Sequence, residues 1–305
     1  MRLPPFASSL LALSALASGC SSSDAPAGSP GSGGAGSADA AADAPVCNAA
    51  AECRTASEGA PPPTGGVCLK TLDTSVVDVD GKPVADVVTA ACGSNICLQQ
   101  RSAADGTVHI DICQYIVKPA YKIIGGTKWV SFAVATPAGQ EVLTYPPTTA
   151  FALPAAGAPL KAGTDAVSGD ATLAVAAGAT IVVDKLNFSK PIDQQFRAVS
   201  IPVAKSAPWL DTSLGLELLW ALGPLDTTFD PPARLTVPNT AGWPAGQLLE
   251  VFMQGIDLAE TYAPYGAWAQ IGTATVSADG ATISTDDAAG SGVPQLTIAG
   301  FRKKK

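Results

Sequence analysis

Charge, histidine and recognised catalytic motifs are all scarce in this sequence of 305 residues. Charged residues make up 14% of the chain, and the formal net charge at pH 7 is −8. A protein that binds nucleic acid needs a basic face to neutralise phosphates, so that class of partner is excluded. His109 is the only histidine, and no Gly-x-Ser-x-Gly motif occurs. We therefore expect His109 to be a surface-facing strand residue beside Asp111, and we assign no catalytic residue.

Patterns for metal ligation and for acid-base chemistry are lacking as well. Asp78-Val-Asp80-Gly81 is similar to the start of a calcium loop, but the third acidic position and the distal Glu are missing, so a hairpin turn explains it. Zinc sites need Cys or His ligands in closely spaced pairs, which this chain does not offer. The 26 acidic residues allow a carboxylate pair, but no spacing points to one. We therefore expect no metal and no cofactor.

The first residues read as an export and anchoring signal. Arg2 is followed by the apolar stretch Phe6–Leu16, which is too short to span a bilayer and ends in small residues. The sequence Ala17-Ser18-Gly19-Cys20 resembles the lipobox of bacterial lipoproteins, although Ala17 stands where Leu is usual. The resemblance implies that residues 1–19 are a signal peptide and that Cys20 is lipidated. The alternative is an ordinary secretory signal, with Cys20 left in the tail that follows.

Seven cysteines indicate an oxidising compartment. They stand at positions 20, 47, 53, 68, 92, 97 and 113. Because seven is odd, one cysteine must be unpaired or chemically modified, and Cys20 is the only cysteine outside the segment 47–113. We expect disulfides among Cys47, Cys53, Cys68, Cys92, Cys97 and Cys113, with at least one bridge between the first three and the last three. Alternation along Val108–Cys113 places Cys113 away from the core, which makes it the candidate for that bridge.

Composition predicts an all-β fold with two β-sandwich-type domains after the signal peptide and a disordered linker. Gly, Pro and small or β-branched residues dominate, and short apolar runs alternate with Asp-Gly turns. The expected order is a flexible Ser/Gly/Ala/Pro tether at 20–46, a cysteine-rich segment at 47–71, a β-sandwich at 72–145, a Pro/Ala linker at 146–166, a second β domain at 167–301 and a basic tail at 302–305.

Two family resemblances accompany this division. Val79-Asp-Gly-Lys-Pro-Val-Ala-Asp-Val-Val88, followed by Ser102-Ala-Ala-Asp-Gly-Thr-Val108, resembles the carboxypeptidase regulatory-like, transthyretin-type β domains. Trp220-Ala-Leu-Gly-Pro224, the proline-flanked run 229–239 and the 272–280 stretch GTATVSADG resemble ZU5-type β domains. Some ZU5-containing proteins cleave themselves at His-Phe-Ser. Here Asn187-Phe188-Ser189 has Asn in place of the His, so we expect no cleavage.

Local patterns give finer expectations for strands and turns. Asp105-Gly106 and Asp279-Gly280 should form tight hairpin turns, the second of type I′ with Val276 opposite Ile283. Pro231, Pro232 and Pro238 should confine their strand to a sheet edge, or make it begin after the prolines. Arg302-Lys-Lys-Lys305 should be a solvated tail.

The five tryptophans divide into two groups. Trp129, Trp220 and Trp268 lie in apparent strands and should be core residues, whereas Trp209 and Trp243 lie in Pro/Gly-rich loops. Exposed aromatic faces bind sugars and peptides, so Trp209 and Trp243 are the candidates for a binding surface.

These features predict a non-enzymatic, lipid-anchored protein of the cell envelope that presents β domains for structural or binding roles. Its partners would be a membrane, through the lipid on Cys20, and an envelope protein or glycan. Ser21 after the lipidated Cys favours the outer membrane, with the protein facing the periplasm or the cell surface. The alternatives are an envelope hydrolase that uses a carboxylate pair in a loop, and an accessory subunit of a partner enzyme or complex.

Overall fold

The computed structural model describes residues 52–55, 59–206, 208–286 and 291–305. This part of the chain is all β, as expected, with two 3-10 turns (Val203–Lys205 and Thr212–Leu214) and no α-helix. The first strands are β1 (Gly66–Val77), β2 (Val88–Cys92), β3 (Cys97–Arg101), β4 (Thr107–Val117), β5 (Ala120–Ile124), β6 (Phe132–Ala135), β7 (Val142–Thr144) and β8 (Thr148–Thr149). The others are β9 (Asp165–Ser168), β10 (Ala171–Ala174), β11 (Thr180–Val182), β12 (Arg197–Ile201), β13 (Leu218–Gly223), β14 (Thr228–Pro238), β15 (Leu248–Gln254), β16 (Trp268–Val276), β17 (Thr282–Thr285), β18 (Val293–Gln295) and β19 (Ile298–Lys303).

Strands β1 to β8, which we call the N-terminal sandwich, form two sheets. One has the order β4-β1-β7, with β8 also paired to β1, and the other has the order β3-β2-β5-β6. Apolar side chains from both sheets, such as Leu72, Ile112 and Tyr121, share one buried cluster. Period-two alternation explains the inward face of β4, where Val108, Ile110 and Ile112 are buried.

Strands β9 to β19, which we call the barrel, form one sheet that nearly closes on itself. Its order is β12-β13-β19-β15-β16-β17-β14-β10-β9, with β11 and β18 paired to β14. The segment Gly157-Ala158 completes the ring. Ala158 N donates to Val167 O of β9, Phe196 N donates to Ala158 O, and Gly157 N donates to Phe196 O. A Cβ at Gly157 would lie 2.3 Å from Val167 O, so only glycine fits there.

The sandwich and the barrel meet across β13, which is buried along its whole length. Leu218, Trp220 and Leu222 pack inside the barrel, while Leu219 and Ala221 pack into the cluster of the sandwich. A strand that is buried on both faces reads as a continuous apolar run rather than an alternating one, which accounts for the sequence LLWALG.

The expectation of a Pro/Ala linker at 146–166 is corrected by this arrangement. Residues 148 and 149 form β8, and Ala150 and Phe151 are buried in the sandwich cluster. Ala158 pairs with both open edges of the barrel. The apolar side chains of this segment pack against the core, so the segment is part of the folded structure and not a linker. Pro45–Lys305 forms one compact unit.

The turns at Asp279-Gly280 and at Asp105-Gly106 differ from the expected hairpin turns. Val276 does pair with Ile283, as expected, but only Gly280 of the turn has a positive φ, so the turn is not type I′, and residues 277–281 connect the strands. Asp105-Gly106 does turn the chain, since Gly106 N donates to Ala103 O. The strands on either side of this turn pair elsewhere, however: β3 with β2 and β4 with β1.

The proline-rich strand β14 is not an edge strand. Its first part pairs with β11 and β18, and its last part pairs with β10 and β17. Pro231 and Pro232 lie where the register to β18 shifts. Because the ladder is interrupted at that point, the missing N–H groups remove no regular hydrogen bond.

The expected basic tail begins later than residue 302. Arg302 belongs to β19, where its Nε lies 2.7 Å from Glu250 Oε2, and its guanidinium also donates to Leu214 O. Its side chain covers the Phe252 ring at 4.7 Å. Arg302 therefore ties β19 to β15 instead of extending into solvent.

Candidate functional site

A cleft of about 350 Å³ opens between the N-terminal sandwich and the loops of the barrel. One wall is a face of the β3-β2-β5 sheet, and the other consists of the loops around residues 184–188, 225–226 and 256–258, together with Tyr265. The volume lies at the lower end of the range for ligand sites, roughly 300–1,000 Å³. Apolar side chains such as Ile124, Leu225 and Ile256 line it alongside a few polar ones.

Lys122 is the cation of this cleft. It lies on β5 directly opposite Ala90 and Ala133, two small buried residues that leave room for its long side chain. Its Nζ is 4.6 Å from the centre of the Tyr265 ring. Within the described ranges, Lys122 has no hydrogen-bond acceptor and no ion-pair partner. Burial lowers the pKa of Lys122, while the charges of Asp226 and Asp257 act in the opposite direction.

Asp226 is a half-buried carboxylate on the opposite wall. It follows β13 in the left-handed region, with φ at 64°, and its backbone N donates to Leu296 O. Its Oδ1 accepts a hydrogen bond from Gln295 Nε2. Burial raises the pKa of Asp226, and the charges of Asp257 and Asp184 add to this effect, against the hydrogen bond and the charge of Lys122.

The turn at 184–188 supplies the third polar part of the cleft. Asp184 Oδ1 accepts from Leu186 N at 2.9 Å, Asn187 Nδ2 donates to Asp184 Oδ2 at 2.5 Å, and Phe188 N donates to Asp184 O. This bonding fixes the turn so that Phe188 is buried in the cleft wall while Leu186 is 96% exposed beside it. The Asn187-Phe188-Ser189 tripeptide is thus part of the turn, and the expectation of no cleavage there stays a prediction.

A disulfide borders the cleft on the sandwich side. Cys92 and Cys97 face each other on β2 and β3 and are bonded. Directly opposed residues of an antiparallel pair share a face, so this disulfide lies on the same side of the sheet as Gln99 and Lys122. It joins the two strands at the edge of the wall that carries Lys122.

The other described cysteines agree with an oxidised protein. Cys53 is bonded to Cys68, and Cys113 is disulfide-bonded too. Cys113 is buried, contrary to the outward orientation expected for it, because the register of β1 and β4 shifts just before it and Arg54 N donates to its carbonyl. Cys20 and Cys47 lie outside the described residues, as do the signal peptide, the lipid attachment and the whole tether at 20–46. The bridge between the two cysteine groups therefore stays a prediction.

The two tryptophans expected at a binding surface are buried, and that assignment is wrong. Trp209 is 2% exposed and stacks on Phe132 and Trp268. Trp243 is 3% exposed because Asn239 folds its loop over the barrel core, with Trp243 N donating to Asn239 Oδ1 at 3.1 Å. The composition of a loop does not reveal burial of this kind, because the burial depends on chain segments that are distant in sequence.

The positions of the other tryptophans, of His109 and of Asp78 agree largely with the expectations from the sequence. Trp220 is buried, while Trp129 and Trp268 are partly buried against the sandwich cluster. His109 is exposed on β4, with Nδ1 2.6 Å from Asp73 Oδ1 and Nε2 3.3 Å from Asp111 Oδ1. Asp78 Oδ1 accepts from Asp80 N and Lys82 N, the bonding of a tight turn. Among the residues described, no group of three or more His, Cys, Asp or Glu could hold a metal ion.

Sequence reasoning missed the residues that build the cleft. One signal was available: Lys122 interrupts the apolar run Tyr121–Ile124, and a charge inside a buried strand points to a special environment. Asp226 and Tyr265 gave no such signal, because each enters the cleft from a loop.

None of the segments placed by the structure contains a helix that is long and apolar enough to cross a membrane. No family model, no curated protein and no solved structure matches this chain.

Proposed function

We propose that this is a lipid-anchored protein of the bacterial cell envelope that binds a small ligand in its cleft without converting it. The lipobox resemblance at Ala17–Cys20 supports the anchor. The cysteine usage and the disulfides Cys53–Cys68 and Cys92–Cys97 are consistent with an oxidising compartment. Ser21 favours the outer membrane.

One observation carries the binding role. The ammonium group of Lys122 is held in a half-buried cleft without a hydrogen-bond acceptor among the described residues. Lys122 is partly buried and contacts the Tyr265 ring, so a ligand in the cleft that offers an oxygen acceptor can take the place of water at this ammonium group. The neighbouring apolar side chains add contact area, and the polar ones fix orientation, as in most small-molecule sites.

The anchor is tested by fractionation of cells and by the intact mass of protein extracted from membranes, with and without reduction. The wild-type chain should begin at Cys20 with added acyl mass, and Cys20→Ser should leave the membrane fraction. A Cys20→Ser variant that stays membrane-bound, or a mature chain without acyl groups, contradicts the anchor.

The binding role is tested by native mass spectrometry of the protein purified from envelope extracts. The wild type should carry a small molecule that denaturation releases, and Lys122→Met should lose it. Lys128→Met is the matched control, because Lys128 also lies over an aromatic ring, that of Trp129 at 5.0 Å, but outside the cleft. The role is refuted if no molecule is retained, or if both variants behave alike.

A second candidate, a hydrolase, is favoured by the environment of Asp226. Burial and the neighbouring acids Asp184 and Asp257 raise its pKa, which is the pattern of a general acid paired with an ionised carboxylate. Turnover of a glycosidase or esterase substrate that Asp226→Asn abolishes would establish this function over simple binding. Absence of turnover together with saturable binding would exclude it.

A further inference from the structure

We propose that the ligand of the cleft is a neutral saccharide. This inference rests on the proposed binding function and specifies its chemistry. It comes from the charges, the hydrogen-bonding groups and the apolar surface that the cleft places side by side.

Opposite charges on the two walls restrict the charge of the ligand. Lys122 lies on the sandwich wall, while Asp184 and Asp226 lie on the loop wall and Asp257 is close enough to act on both Lys122 and Asp226. An anionic ligand that reached Lys122 would be repelled by the carboxylates opposite. A cationic ligand that reached the carboxylates would be repelled by Lys122. A neutral ligand meets neither penalty.

A neutral ligand must still satisfy donors and acceptors together. The Lys122 ammonium only donates and the ionised carboxylates only accept. A hydroxyl group does both, so neighbouring hydroxyls of one sugar ring can accept from Lys122 and donate to Asp226 or Asp184. Gln99 and Asn187 add amide groups to the same lining. Hydrogen bonds to charged groups are stronger than those between neutral groups, which suits a ligand that has many hydroxyls and no charge.

The apolar part of the cleft fits the C–H faces of a sugar ring. Ile124, Leu225, Ile256 and Leu258 line it between the polar groups. Leu258 is 38% exposed, so it is free to contact a ligand that enters from solvent. A simple acyl chain fits less well, because it would strip water from Lys122 and from the carboxylates and return no hydrogen bond.

Matched sugars that differ only in charge test the proposal. Glucose, glucosamine and glucuronate form one set, galactose, galactosamine and galacturonate form a second, and neutral N-acetylhexosamine disaccharides complete the panel. Binding is measured by saturation-transfer NMR and calorimetry on the mature folded protein. At least one neutral sugar should bind, and more tightly than its charged counterparts.

Variants connect that binding to the cleft. Lys122→Met and Asp226→Asn should each weaken binding about tenfold, the loss expected for one hydrogen bond to a charged group. Asn keeps the acceptor for Gln295 and tolerates the positive φ of position 226. Lys128→Met should bind like the wild type. Thermal unfolding of each variant shows whether it is folded.

Each other result overturns the proposal. Tighter binding of a uronate makes the cleft an anion site, and tighter binding of an amino sugar makes it a cation site. Neutral-sugar binding that Lys122→Met leaves intact places the sugar elsewhere. If no sugar of the panel binds while native mass spectrometry still finds a molecule that depends on Lys122, the saccharide is excluded and the binding function stands. If neither is found, both fail.

Discussion

The N-terminal sandwich and the barrel reach stability in different ways. Every cysteine of the chain lies at or before position 113, and the described disulfides clamp the sandwich and the segment before it. The barrel contains no cysteine and depends on a hydrogen-bonded ring of strands around its apolar interior. Each sandwich sheet has four strands and open edges, so disulfides that limit the unfolded states of the chain add stability there, whereas a nearly closed sheet has few free edges.

The two regions are nevertheless joined through β13, and the cleft lies at their junction. The sandwich contributes Lys122 and the barrel loops contribute Asp226. Changes that separate the regions should therefore affect both stability and the cleft, while changes inside one region should stay local.

Trp209→Ala should have the largest effect, because this side chain packs between the regions. It stacks on Phe132 of β6 and on Trp268 of β16, and its carbonyl accepts from Trp268 Nε1 at 3.2 Å. Loss of a buried aromatic ring should lower the free energy of unfolding by about 3–5 kcal/mol, as measured by urea denaturation. Trp129→Ala, a half-buried ring at the edge of the same cluster, should lower it less. Equal losses would contradict the role given to Trp209.

Replacing Cys53 and Cys68 by Ser should have the next largest effect. The bond closes a loop with a sequence separation of 15, so its removal should cost about 3 kcal/mol. Replacing Cys92 and Cys97, with a separation of 5, should cost about 2 kcal/mol. Hydrogen exchange should show the loss of protection in β1 and β4 and little change in β10 and β17. Equal loss in the barrel strands would show that the clamps act on the whole molecule.

Gly157→Ala tests the closure of the barrel and should cost about 1–3 kcal/mol. The new Cβ would lie 2.3 Å from Val167 O and 2.7 Å from Phe196 O, both backbone atoms that cannot move without opening the ring. Gly223→Ala in β13 is the control, since its nearest neighbours are at 3.9 Å. Exchange should accelerate first in β9 and β12. A Gly157→Ala variant as stable as the control would mean that the ring is not closed there.

Asp226→Asn should have the smallest effect, and one that depends on pH. Burial raises the folded-state pKa of Asp226 above its ordinary value of 3.8. The stability contributed by its proton is complete below pH 3.8 and is lost as pH rises through the folded-state pKa. The Asn variant lacks this dependence, so its melting temperature should exceed that of the wild type at pH 7 and approach it at pH 3. A constant difference across this range would contradict the assignment.

Much of the architecture was predictable, because local pattern decides strands. Alternation placed Val108, Ile110 and Ile112 inside, and the Asp-Gly signal gave the pairing of Val276 with Ile283. Burial of the loop residues Trp209 and Trp243, and the closure by Ala158, depend on segments far apart in sequence. The cleft was unpredictable for the same reason, since Lys122, Asp226 and Tyr265 come from three separate parts of the chain.

The position of β19 sets the order in which the barrel can be completed. β19 lies in the interior of the sheet, between β13 and β15, yet it follows both in sequence. Until its residues arrive, β13 and β15 keep open edges and the barrel core lacks Phe301. The closed sheet therefore needs the last strand of the chain, and a barrel without β19 keeps two unpaired strand edges beside an incomplete core. The insertion of this single strand is what closes the sheet.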